Sequence, residues 1–224
     1  MIHLQNISDD KASFEKGHMQ RNPRGFTLIE MMIAISIFLV VSAITFATLA
    51  PAFRDARVNS AYNTTLMVLR QARQLSVDNR KTYRVTFNPA GTPAGTGAIE
   101  IRRMDAGAPG PLVTLAALPP DIQFTTVAGI PLVNAATPDN MGVGGMPIQF
   151  DIGVAGGVNN QIYFFPDGSA RDINNNINNG VVYMARPTEL YTSRAITLFG
   201  AAGRTRGWRL YPPNGVGTPV WSQQ

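Results

Sequence analysis

A chain of 224 residues has room for one globular domain of ordinary size and an appendage, not for two large domains. Apolar residues make up 45% and charged residues 15%, too little charge for a disordered chain and too much polarity for several membrane spans. Cysteine is absent, which excludes disulfides, a thiolate nucleophile and a cysteine-ligated metal, and the only histidines are His3 and His18. The formal charge of +5 is modest but unevenly spread. Residues 54–84 hold Arg54, Arg57, Arg70, Arg73, Arg80, Lys81 and Arg84 against Asp55 and Asp78, and Arg194, Arg204, Arg206 and Arg209 follow Glu189 with no further acid.

The first predicted element is the run MMIAISIFLVVSAITFATLA, residues 31–50, which contains no charge and only Ser36, Ser42, Thr45 and Thr48 as polar breaks. As a helix rising ~1.5 Å per residue it spans about 30 Å, the thickness of a bilayer's hydrocarbon core. Lys11, Lys16, Arg21 and Arg24 precede it, diluted by Asp9, Asp10 and Glu15; the two arginines nearest the span favour a cytoplasmic N-terminus and a translocated remainder. A cleavable signal peptide and a simple signal anchor compete with a more specialised reading. Glu30 discriminates, because a carboxylate at the edge of the span is costly without a partner and neither ordinary reading requires it.

The segment Arg24-Gly25-Phe26-Thr27-Leu28-Ile29-Glu30, followed at once by the apolar run, resembles the processing site of type IV prepilins and pseudopilins. The resemblance implies a leader, residues 1–25, removed by a prepilin peptidase that cuts between Gly25 and Phe26. It also implies N-methylation of Phe26 and retention of the apolar helix, residues 26–50, as the membrane and filament-assembly segment. The chemistry suits that arrangement. The cut creates an α-amino cation at Phe26, and Glu30 can meet the amine of an adjacent subunit in a bundle. A register error would leave a poorly solvated charge unpaired, at about 3–5 kcal/mol.

Past Pro51, Val58, Tyr62, Leu66, Leu69, Ala72 and Leu75 recur at helical spacing, so an amphipathic helix is expected to continue the first one, within residues 51–81, to about Asn79. Arg73 falls on its apolar side and receives no role. The remainder, residues 82–224, alternates at period two between glycines and prolines. Tyr83, Val85 and Phe87 form one set and Ile99 and Ile101 another, across a turn-rich stretch that suggests a hairpin. Further strands are expected over residues 112–115, 122–127, 148–152, 162–165, 181–184, 195–199 and 208–211. One long helix followed by many short strands gives an α+β fold, the helix packed against an antiparallel β-sheet head. Residues 129–147 form a long, weakly patterned loop, a binding loop or a merely mobile one.

Three head segments, LRQARQLSVDNRKTYRVTF, IYFFPDGSARD and AITLFGAAGRTR, resemble parts of GspH/FimT-type minor pseudopilins and minor pilins. That resemblance implies a subunit of a type II secretion pseudopilus or of a type IV pilus, in the inner membrane with a periplasmic head. Its implied partners are other pilin or pseudopilin subunits and an inner-membrane assembly platform. Some FimT-type members bind DNA through a basic C-terminal stretch. Here Arg204, Arg206, Trp208 and Arg209 occupy that place, where arginines can neutralise phosphates and an exposed aromatic can stack on a base; the alternative is a strand with a basic face and Trp208 in the core.

An enzyme is not expected, and neither a cofactor nor a metal. Ser–His and Cys–His pairs are excluded once the leader is gone, and Asp121, Asp139, Asp151, Asp167 and Asp172 are scattered. The run from Asp172 to Asn176 imitates the opening of a calcium loop but lacks the following glycine, and Tyr183 stands where the closing carboxylate belongs; an Asn-rich turn is the better reading. There is no P-loop, so energy for assembly must come from a partner.

Overall fold

The structure is a computed structural model that describes residues 25–88, 97–131, 139, 141–142, 146–150, 160–213, 215 and 217–224. The chain divides into two compact units, residues 1–47 and 48–224. Helix α1, Leu28–Asn79, contains the apolar run, Pro51 and the amphipathic continuation as one helical element.

In the first unit, residues 28–46 are apolar enough to span a bilayer, and none of that stretch is buried. Ser36 and Thr45 turn their hydroxyls back onto the carbonyls of Met32 and Val41, each at 2.8 Å. Such bonds satisfy a hydroxyl inside its own helix and leave the surface apolar all round.

In the second unit, α1 buries Val58, Ala61, Tyr62, Thr65, Val68, Leu69, Ala72 and Ser76, a stripe at intervals of three and four. Its partners are two five-stranded antiparallel sheets. The first has the order β3-β2-β1-β5-β6, with β1 Tyr83–Phe87, β2 Ala98–Asp105, β3 Ala108–Ala117, β5 Gln161–Phe164 and β6 Ala170–Arg171. The second has the order β10-β9-β8-β7-β4, with β4 Ile148–Phe150, β7 Gly180–Met184, β8 Arg194–Phe199, β9 Arg204–Tyr211 and β10 Val220–Gln223. The expected hairpin exists: Tyr83 pairs with Arg103 and Phe87 with Ile99.

Period-two alternation sorts the residues of the second sheet between two cores. Val182, Met184, Ile196 and Leu198 join the helix and the first sheet in the main core. Val181, Tyr183, Ala195, Trp208 and Leu210 face the other way and pack with Trp221 and Met141. Strand β7 is therefore buried at every position, which explains its uninterrupted apolar character.

One expectation needs correction. Residues 122–127 do not form a strand; their backbone makes one bridge, between Gln123 and Ala185, while Ile122 and Phe124 fill the main core. Alternation there reports burial, not pairing. The loop at 129–147 is fastened at the points described: the Trp221 indole donates to the Pro131 carbonyl at 2.8 Å, the Tyr183 hydroxyl to that of Met141, and Asp139 accepts from Thr197 at 2.6 Å. Of its described residues, Met141 belongs to the second core and Ile130 packs against it. Residues 132–138, 140 and 143–145 of that loop lie outside the described residues, as do the leader before Gly25 and Asp151.

Candidate functional site

The N-terminal junction is organised by Thr27. Its carbonyl accepts the first helical bond, from Met31 at 3.2 Å, and its hydroxyl oxygen accepts from the Glu30 backbone N–H, also at 3.2 Å. Thr27 is thus the N-cap, and Thr27-Leu28-Ile29-Glu30 has the spacing of a capping box. That role was legible in the sequence, yet only the processing motif was read from these residues. The cap ends the helix short of the Gly25–Phe26 peptide bond, which stays in exposed, irregular backbone. A side chain at Gly25 would meet nothing within 4 Å, and Phe26 is 75% exposed. A peptide bond in such backbone can be reached by a protease without unwinding a helix.

Glu30 lies in the first turn, where the helix dipole favours an anion. Among the described residues its carboxylate has no ion-pair or hydrogen-bond partner, so a cation can be received there without displacing one. From Phe26 to Phe46 every residue but Ser42 is exposed. An anion at the mouth of a helix that is apolar on all sides is suited to a bundle or a bilayer, not to solution.

The C-terminal basic stretch is divided between the core and the surface. Trp208 is 4% exposed and its indole donates to Thr197 at 2.9 Å, so the expectation of an exposed stacking ring is corrected. Arg206 pairs with Asp139 at 3.3 Å, and Arg209 lies 4.0 Å from Asp55 and over the Tyr211 ring. Arg204 is exposed, its guanidinium 6.0 Å from the Phe199 ring centroid. Sequence proximity failed here because the neutralising acids come from elsewhere in the chain. The arginines of residues 54–84 follow the same rule in part: Arg54 and Arg57 on α1 lie 3.9 Å from Glu189 and 3.3 Å from Asp121, and Arg84 on β1 lies 3.7 Å from Glu100.

The glycines flanking Arg204 serve packing. Gly203 adopts a left-handed conformation at φ 57°, and a Cβ there would sit 2.1 Å from the Gly168 carbonyl oxygen. At Gly207 a Cβ would sit 1.5 Å from the Tyr62 hydroxyl, so α1 can lie against β9 only because that position is bare. The Asn-rich turn closes on itself, with Asp172 accepting from the Asn176 backbone at 2.7 Å and from its side chain at 3.0 Å.

Residues 20–46 match the family described as the prokaryotic N-terminal methylation motif. Neither a curated protein nor a solved structure is found to match the chain. The matched motif carries with it processing by a prepilin peptidase and assembly with other pilin subunits. With the motif over the capped junction, one apolar helix suited to a single-pass anchor and antiparallel sheets behind it, the chain fits a type IV pilin-like protein.

Proposed function

We propose that the chain is a minor pilin or minor pseudopilin of the GspH/FimT type, a structural subunit of a type IV pilus or of a type II secretion pseudopilus. In this reading the leader is removed between Gly25 and Phe26, Phe26 is N-methylated, and Glu30 meets the new amine of a neighbouring subunit. The head faces the periplasm, and an inner-membrane platform supplies the work of assembly. The observation that carries the reading is the pairing of an open, capped junction with a helix exposed and apolar on every side from Leu28 to Phe46. Such a helix is stable only where other subunits or lipid replace water. A DNA receptor acting through the C-terminal stretch has less support, since burial of Trp208 and pairing of Arg206 leave Arg204 as its exposed cation.

Mass spectrometry of the protein recovered from membranes tests the reading. The expected N-terminus is Phe26, one methyl group heavier than the bare residue, and Gly25→Glu should leave the uncut precursor. A mature N-terminus elsewhere, or an unchanged product from the Gly25 variant, would overturn it.

A further inference from the structure

Arg73 lines a cleft of about 480 Å³ in the head, together with Arg70, Gln74, Gly203, Arg204 and Thr205. Three separate pieces of the fold build it. Helix α1 supplies Arg70 and Arg73, the start of β9 supplies Arg204, and the turn between β5 and β6 fixes Arg73 by accepting its Nε–H on the Gly168 carbonyl at 3.1 Å. Gly203 allows that turn to approach, since any side chain there would strike the Gly168 carbonyl and crowd Arg73. The Phe199 ring sits beside the Arg204 guanidinium. Gln74 is occupied, donating to Asp78 at 2.8 Å. Among the described residues no carboxylate lies within 4 Å of Arg70, Arg73 or Arg204, in a head where Arg54, Arg57, Arg84, Arg102, Arg103, Arg171, Arg186, Arg206 and Arg209 all have one.

We propose that this cleft receives a carboxylate from an acidic segment of a partner protein. Guanidinium forks match the two oxygens of a carboxylate, and a fork whose Nε is already anchored loses little freedom on binding. The arginines line one compact cleft, not a track, and none of the residues lining it is aromatic; the nearest ring, Phe199, lies beside Arg204 alone. The site deepens the proposed function by giving the head a docking point, but it does not depend on filament assembly. A failed titration would leave cleavage and incorporation standing.

The test uses the full chain in a nonionic detergent, titrated with a fluorescently labelled, acetylated hexaglutamate peptide at low and moderate salt. The expected result is saturable binding that inorganic phosphate competes away. Arg73→Ala and Arg204→Ala should each weaken it by roughly tenfold or more, the value of one charge-assisted contact. Arg73→Lys keeps the charge but not the fork and should fall short of the parent. Arg80→Ala, which removes an equal charge outside the cleft, should leave affinity within about twofold. If Arg73→Ala fails to fold by circular dichroism, Arg204→Ala decides alone, because its guanidinium is exposed. No saturable binding at low salt, an equal loss in Arg80→Ala, or tighter binding of a single-stranded oligonucleotide through the same arginines would each overturn the proposal.

Discussion

Residues 28–46 and residues 58–76 belong to one helix and face opposite problems of solvation. The earlier stretch is apolar on every side and exposed on nearly every side; the later one buries a stripe from Val58 to Ser76 and shows arginines elsewhere. The later stretch finds its complement within the chain, in the inward faces of two sheets. The earlier stretch is unburied. A helix apolar on every side needs lipid or other subunits around it, which is why a short N-terminal motif says more about function than the whole head does.

The contrast breaks most sharply at Glu30. If the first stretch is completed by other subunits, Glu30→Ala should leave membrane insertion and the unfolding midpoint of the head unchanged. Incorporation into sheared filaments should fall by about a hundredfold or more, since an unpaired desolvated charge costs about 3–5 kcal/mol. Immunoblots of the filament and membrane fractions check this. Normal incorporation would show that register is set elsewhere.

Arg194 tests the opposite claim, that the later stretch is held from within. Its guanidinium is wholly buried, donating to Asn59 on α1 at 3.0 Å and to the Thr192 and Ser193 carbonyls at 3.2 Å, with no partner for Nε among the described residues. Burial, with the nearby Arg209 cation, pushes its pKa down to about 10. The sign follows from linkage: the folded state holds this proton less tightly than the unfolded one. The penalty is thus complete below about pH 10 and shrinks only as pH rises above it, toward the ordinary arginine range. At neutral pH the residue is a charged clamp between helix and strand. Arg194→Ala should cost about 2–4 kcal/mol in chemical denaturation, combining a cavity with orphaned acceptors, and Arg194→Met about 1–2 kcal/mol less. Equal losses would mean that packing contributes nothing there.

Gly207→Ala follows, at about 1–3 kcal/mol, because the added methyl meets the Tyr62 hydroxyl where α1 crosses β9. The same unfolding experiment reads it, and membrane insertion should not change. An unchanged midpoint would show that the helix can lift from the sheet at little cost.

How much of this was legible depended on whether a residue's partner could be read locally. The anchor, the junction and the strands at Tyr83–Phe87 and Gly180–Met184 follow from periodicities that a short window contains. Strand β6 has two residues and β10 only one buried position, so neither carries a pattern to read. Residues 122–127 misled because Ile122 and Phe124 alternate inward without a neighbouring strand. The pairing of the basic C-terminus was not legible because Asp139 and Asp55, which reach Arg206 and Arg209, are remote in sequence. Arg73 had no visible role because its partner, the Gly168 carbonyl, is a backbone atom that a side-chain pattern does not display.

That turn gives the smallest test. Asp167 accepts from the Ser169 hydroxyl at 2.6 Å and the Ser169 backbone at 2.9 Å, and pairs with Arg171, which together hold its carboxyl below the ordinary value of 3.8. A depressed carboxylate stabilises the fold above the unfolded pKa and loses that contribution as pH falls through the folded one. Its side chain is 53% exposed, so the gain is limited to about 0.2–1 kcal/mol. Asp167→Asn should therefore lower the unfolding midpoint slightly at neutral pH, and the gap from the parent should close as the solution is acidified below pH 3.8. A gap that persists in acid would mean that the turn is held by hydrogen-bond shape alone, and that the charge beside Gly168 has no part in presenting Arg73.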